Sequence, residues 1–276
     1  MSLEDHYGDI LQKARAGHGW SLDEVASRAD VAAYRIASFE AASGRPAPDE
    51  LRRLAVVLEL APDRLAAIAE ERWQPHPLSP SDSVLTVVGA LGGYAVNSYL
   101  LVDPRAREAA AVDTANAPDR IVATAQQAGL RITTLLLTHA HPDHIGGVDR
   151  LQSATGARLV AHPLDRSALD TIWNDRRDLI ATEFGRVSIG AHEVEIRWVP
   201  GHTHSGVCYR AGQALFVGDC LFAGSVGRAR SPADYQALLK GIRTKLLALP
   251  EETAIFPGHG PPTTVGEERR HNPFFE

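Results

Sequence analysis

Residues 138–147 read THAHPDHIGG, and four side chains able to ligate metal, His139, His141, Asp143 and His144, fall within six positions of this stretch. Three more donors stand farther along, each at or just past the end of an apolar, β-rich run: His202 in VPGHTHSG, Asp219 in LFVGDCLF and His259 in IFPGHGPP. Together they make five imidazoles and two carboxylates. Borderline divalent metals take this mixture of neutral nitrogen and carboxylate oxygen. In an extended segment the rings of His139 and His141 fall on one side and grip one ion. The turn begun by Pro142 then sends Asp143 and His144 toward a second. Two ions about 3.5–4 Å apart lower the pKa of a water between them to near neutrality.

On these motifs the sequence resembles the metallo-β-lactamase superfamily, and within it the glyoxalase II-like hydrolases, over residues 84–275. LFAGSVGR (221–228) and PGHGPPTTVGEERRHNPFF (257–275) sharpen the match. The resemblance implies an α/β fold, an αββα sandwich with its ligands on loops at one sheet edge. It also implies that His139, His141 and His202 hold one ion, that Asp143, His144 and His259 hold the other, and that Asp219 bridges them. The cofactor is then two divalent metal ions, zinc first, with iron and manganese compatible with the same donors. The activity implied is hydrolysis of a thioester of the hydroxyacyl-thiol type by a metal-bridging hydroxide, with Asp143 as the catalytic carboxylate that orients it. A small-molecule thioester or ester is the expected substrate.

Other roles are secondary. His204 and Arg228 are candidate substrate-binding residues, with a solvent-facing histidine and a loop-fixing arginine as the structural alternatives. Asn97 and Tyr99 read as strand packing, and Trp173 as packing or part of a flap. Glutathione-specific relatives carry basic residues in a C-terminal helical domain, so glutathione itself is not implied. Single-iron persulfide dioxygenases typically continue with Thr-Asp-Phe after the position of Arg228, where this chain has ARSPADY. β-Lactamases of this ligand type usually lack the aspartate at 219, whereas lactonases keep it. Lactonase and dioxygenase remain the enzymatic alternatives.

The chain has 276 residues, 44% hydrophobic and 22% charged, with a formal net charge of −6, an ordinary globular composition. Its two cysteines, Cys208 and Cys220, imply no disulfide framework and read as small buried groups. The N-terminus, MSLEDHYGDI, lacks an apolar signal core and no run of 18 apolar residues occurs, so a cytoplasmic chain without a membrane partner is expected.

Residues 5–71 carry helical periodicity throughout, enough for five short helices. Ser21 and Glu24 form a capping-box pattern, and Pro48 and Pro62 stand where helices begin. WQPHPLSPSDS (73–83) reads as a linker. The expected organisation is a small all-α domain at 1–72, the linker at 73–83 and the catalytic domain at 84–276. The helical part resembles the Xre/Cro-type helix-turn-helix family, with a second helix at 22–29, a turn at 30–32 and a recognition helix at 33–40. That resemblance implies DNA contact through Arg28, Tyr34, Arg35 and Ser38, and a regulator with a ligand-sensing hydrolase fold as the alternative function. Charge argues the other way, since residues 1–72 hold nine Lys/Arg against thirteen Asp/Glu, a net of −4. A homodimer would gather Arg28, Arg35 and Arg45 on one face, and a dimerisation or docking module is the other reading. Beyond the linker, β-rich runs alternate with helical patterns at 118–128, 144–155, 163–180 and 232–249.

Overall fold

The structure, a computed structural model, describes residues 2–79, 82–170, 179–180 and 185–276. Five helices come first: α1 Tyr7–His18, α2 Leu22–Ala29, α3 Ala33–Glu40, α4 Pro48–Val57 and α5 Pro62–Ala69. Ser21 caps α2 as its sequence predicts: its Oγ accepts from the Glu24 N–H at 3.2 Å, and its own N–H donates to the Glu24 carboxylate at 2.7 Å. Pro48 and Pro62 each open a helix, where a missing N–H costs nothing.

Two six-stranded sheets follow. The first runs β1 Val84–Leu91, β2 Tyr94–Asp103, β3 Glu108–Val112, β4 Arg131–Leu136, β5 Arg158–Ala161 and β6 Leu179–Ile180, side by side in that order. The second contains β7 Arg186–Ile189, β8 His192–Trp198, β9 Val207–Ala211, β10 Ala214–Gly218, β13 Ala254–Pro257 and β14 Thr263–Thr264, ordered β14-β13-β10-β9-β8-β7. A small hairpin, β11 Leu221–Phe222 and β12 Ser225–Val226, projects beyond β10. Alternation along the strands builds the layers. In β2, Tyr99 and Leu101 face the other sheet with Phe216 and Phe256, while Leu100 and Val102 face outward. Helices α6 Pro118–Gln127 and α8 Val148–Thr155 cover that outer face through Ile121, Ala125 and Leu151. The short α7 Pro142–Ile145 lies at the sandwich edge, and α9 Pro232–Gly241 and α10 Val265–His271 lie over the second sheet. The layering is the αββα sandwich expected, with an N-terminal helical region.

Two expectations change. The helical pattern at 163–180 yields a 3₁₀ segment at Pro163–Leu169, while Leu179–Ile180 pairs with β5 as an edge strand; Trp173 lies outside the described residues. The pattern at 144–155 is split by Gly146 and Gly147, the latter at φ +81°, into α7 and α8.

The helical region and the second sheet share one hydrophobic core. Ile10, Leu11, Ile36, Phe39, Leu54 and Leu65 belong to the same buried cluster as Leu215, Val217, Tyr235, Leu238 and Phe275. The expected linker begins on an anchor: Trp73 is buried, stacks on His271 at 5.1 Å and donates from Nε1 to Glu267 at 3.0 Å. Ala61 N–H donates to the Pro273 carbonyl at 2.8 Å, and the Arg64 guanidinium to that of Asn272 at 3.1 Å. Periodicity told which helix faces are covered and not what covers them. No helix among the described residues is long and apolar enough to cross a membrane.

Candidate metal centre

The seven predicted donors meet where β4, β8, β10 and β13 run out into loops. His139 follows β4, His141 is the extended N-cap of α7, and Asp143 and His144 sit in that turn. His202 lies in the loop after β8, Asp219 directly after β10, and His259 two residues after β13. Parallel pairing of β10 with β13 brings Asp219 beside His259. Gly258 makes the approach possible, because a Cβ there would collide with the Asp219 carboxylate and the His144 ring.

The donors form two groups that share Asp219: His139, His141, His202 and Asp219, and Asp143, His144, Asp219 and His259. Within each group the donor atoms lie within 4.8 Å of one another. In the first, His141 Nδ1 stands 3.0 Å from both His139 Nε2 and His202 Nε2. In the second, His259 Nε2 is 3.1 Å from Asp143 and 3.4 Å from Asp219, and His144 Nε2 is 3.5 Å and 3.2 Å from the same two carboxylates.

Hydrogen bonds on the far side of each ring aim these atoms inward. His144 Nδ1 lies 2.8 Å from Asp113, His202 Nδ1 3.0 Å from the Arg228 carbonyl, and His259 Nδ1 2.8 Å from the Ala95 carbonyl. Each partner is an acceptor, so each Nδ1 carries a proton and Nε2 is the nitrogen turned inward to ligate, directly in His202 and after loss of its second proton in His144 and His259. Thr138 Oγ1 donates to Asp113 at 2.7 Å, so its oxygen accepts from His139 Nδ1 at 3.0 Å, with the same result. Histidine ligands are ordinarily oriented in this way. Asn97 and Tyr99 steady the His259 loop from β2, donating to the carbonyls of Pro257 and Gly260 at 2.7–3.1 Å.

Asp113 escaped the sequence analysis. It closes the apolar run of β3 and holds Thr138 N–H, Thr138 Oγ1 and His144 together at 2.7–2.8 Å. Its backbone is left-handed, φ +54°, as are Ala115 and Asn116. Such conformations cost about 1–3 kcal/mol each and persist where the surroundings enforce them. Here Thr114 does so, its N–H and Oγ1 both donating to the His144 carbonyl at 2.9 and 2.8 Å. The signal available in the sequence was a lone carboxylate ending a solid apolar strand.

The two groups differ in protonation. Burial, aided by neighbouring imidazoles, pushes His139 well below its ordinary pKa; burial also lowers His141 and brings His202 to about 4. Burial opposes protonation of His144 and His259 as well, but carboxylates outweigh it: Asp219 and Asp113 raise His144 well above the usual range, and Asp143 and Asp219 raise His259 to about 10. Asp219 is driven well below the carboxylate range by His144, His259 and His139 despite its own burial.

These residues fit divalent cations. His139 Nε2 and His202 Nε2 present lone pairs to one nitrogen of His141, which carries at most one proton. His144 Nε2 and Asp219 Oδ1 are buried without a well-formed hydrogen bond. A buried polar atom left unsatisfied costs about 1–3 kcal/mol, and a shared cation removes that cost at all of them.

The secondary candidates fall elsewhere. His204 is mostly exposed and turns to Asp234 at 3.2 Å. The Arg228 guanidinium leaves the site and donates to Gln12 on α1 at 2.6 Å; only its carbonyl serves the site, through His202. The cation at the mouth is Arg230, with Nη2 3.3 Å from His141 Nε2. Of the DNA-contact candidates, Tyr34 is 75% exposed, Arg35 is held by Glu50 at 2.7–2.8 Å, Ser38 donates to the Arg35 carbonyl at 2.7 Å, and Arg28 stacks 3.9 Å over Trp20. Cys208 and Cys220 are buried, with sulfurs 3.3 Å apart.

Comparison with known proteins points the same way as the geometry. The sequence model of the family described as Metallo-beta-lactamase superfamily matches residues 91–259. A protein of Haemophilus influenzae named hydroxyacylglutathione hydrolase GloC is 32% identical over 185 residues, covering 61% of this chain and 87% of its own length. Among solved structures, the BLEG-1 B3 metallo-beta-lactamase is 32% identical with a TM-score of 0.60, covering 69% of this chain and 99% of that one. TTHA1623 in a di-iron-bound form is 34% identical with a TM-score of 0.55 and the same coverage.

Proposed function

Because the chain belongs to the metallo-beta-lactamase superfamily, we propose that it is a dinuclear metal-dependent hydrolase acting on thioesters of the hydroxyacyl-thiol type. The observation that carries this reading is the pair of four-donor groups meeting at Asp219, with His144 Nε2 and Asp219 Oδ1 buried 3.2 Å apart and without a well-formed hydrogen bond. His139, His141, His202 and Asp219 would hold one ion, and Asp143, His144, His259 and Asp219 the other. When bound, the ions supply Lewis acidity and water of near-neutral pKa, the chemistry that carbonyl hydrolysis requires.

The chain's own residues do the rest. Asp143 is the half-buried carboxylate of the site, and its pKa is lowered: burial opposes the shift, but the His259 hydrogen bond and His144 outweigh it. It therefore stays ionised at neutral pH, able to accept a hydrogen bond from the attacking water or hydroxide and orient it. Asp113 and Thr138 keep His139 and His144 from turning away. Arg230, beside His141, offers a fixed positive charge to an anionic group on the substrate. A thiolate with a free pKa near 8.5 departs without a general acid, at about the value of an unperturbed thiol, and the described rim shows no dedicated proton donor for it. The names of the hydroxyacylglutathione hydrolase relatives support a thioester over other acyl compounds.

The test is a substrate panel on the metal-loaded full-length protein: hydroxyacyl thioesters of glutathione and of smaller thiols, lactones, and a β-lactam, included because of the likeness to a B3 enzyme. Thioesters turning over fastest, with all turnover abolished by a chelator and restored by metal, is the expected result. A preference for the lactone or the β-lactam would replace the substrate assignment, and chelator-resistant turnover would end the metal reading.

A further inference from the structure

Helix α1 reaches the metal centre at two points, although it lies more than a hundred residues away in sequence. Gln12 Oε1 accepts from the Arg228 guanidinium at 2.6 Å, and the carbonyl of the same Arg228 accepts from His202 Nδ1 at 3.0 Å. Next to it, the buried Lys13 ammonium pairs with Asp5, donates to the Val226 carbonyl at 2.9 Å and stands 4.9 Å over the Phe222 ring. Phe222 meets His259 edge-on at 6.0 Å. Between these contacts, Gly227 packs so closely that a Cβ would strike the Asp219 backbone and come within 3.1 Å of His202 Nδ1. The segment Phe222–Arg228 is thus clamped between α1 and three of the donors.

We propose that α1 is a working part of the metal centre, with Gln12 and Lys13 as positioning residues that hold this segment where the Arg228 carbonyl fixes the His202 ring and Gly227 backs Asp219. The helical region then sets the affinity of the His139, His141, His202 and Asp219 group. A buried ion pair such as Lys13–Asp5 adds little net stability to a fold, while removing one partner leaves an uncompensated charge. Its lysine is spent on a carbonyl of the active-site segment. The inference rests on the dinuclear reading above.

Zinc affinity of the full-length protein, measured by chelator competition, together with the visible spectrum of the cobalt(II) form, tests it. Removal of an outer partner of a ligand histidine typically costs about 10–100-fold in metal affinity. Gln12→Ala, which removes a partner of the Arg228 side chain and not of His202 itself, is expected to weaken one of the two sites by less than that range and to shift the cobalt bands, while Gln12→Glu, which keeps the pair with Arg228, returns both to the wild-type values. His18→Ala loosens α1 against Tyr235, a contact of 5.5 Å away from the segment, and is expected to leave affinity unchanged. Wild-type affinity and spectrum in Gln12→Ala, or an equal loss in His18→Ala, overturns the proposal while the dinuclear reading stands. A wild-type protein that takes up no metal overturns both.

Discussion

The two donor groups share one carboxylate and differ in what surrounds the rest. His139, His141 and His202 are crowded by one another and by apolar walls, so burial keeps them neutral, with His202 at about 4. His144 and His259 are crowded by Asp113, Asp143 and Asp219, which hold protons on them, with His259 at about 10. Metal must displace a proton from a protonated imidazole and need not from a neutral one. On the dinuclear reading, the first group would take its ion at neutral pH without losing a proton, and the second would exchange protons for one.

Asp219→Ala strikes both groups and has the largest expected effect: loss of both ions and a fall in kcat/KM beyond the ~100-fold that marks the loss of an outer partner. Retention of two ions would break the shared-carboxylate account. Asp113→Asn frees His144, and is expected to weaken the second ion by about 10–100-fold and the first by less, through Thr138 and His139, read by metal content after dialysis. Equal loss of both ions would show that Thr138 and His139 depend on Asp113 as much as His144 does.

The effect of pH sharpens the contrast. A raised histidine pKa means that the metal-free group holds protons at neutral pH and releases them on binding, so affinity climbs as pH rises toward the raised pKa. Between pH 8 and pH 6 the second ion is expected to weaken by about tenfold per unit for each proton displaced, while the first, whose three histidines are all held below the ordinary imidazole value, loses less over the same range. Parallel loss of both ions would contradict the comparison. The smallest effect on the metal centre belongs to Arg230→Ala: both ions stay, and KM for an anionic thioester rises about 10- to 150-fold, as the loss of one charge-assisted hydrogen bond of about 1.5–3 kcal/mol implies. An unchanged KM would remove Arg230 from substrate binding.

That these seven side chains converge was legible in the sequence because ligand chemistry demands particular side chains at strand ends, and THAHPDHIGG packs four of them into six positions. The sandwich was legible because period-2 and solid apolar runs mark its strands. Asp113 was not, because its role arises only when the end of β3 meets α7, thirty-one residues away in the case of His144. Arg230 was missed in favour of Arg228 because composition fixes the charge of that loop and only the tertiary path decides which guanidinium turns to His141 and which to Gln12. The helices at 22–29 and 33–40 stand where periodicity put them, yet the linker motif suggested a separate unit where the structure has a continuous core. Trp73 heads that stretch and is buried against α10. A Pro- and Ser-rich composition does not reveal such an anchor.

Metal content of the purified full-length protein, after equilibration with zinc at pH 8 and removal of free metal, tests the central claim most directly. The account predicts two ions per chain at pH 8, with one of them held more weakly at pH 6. A single ion that persists across that range, or none at pH 8, would contradict it.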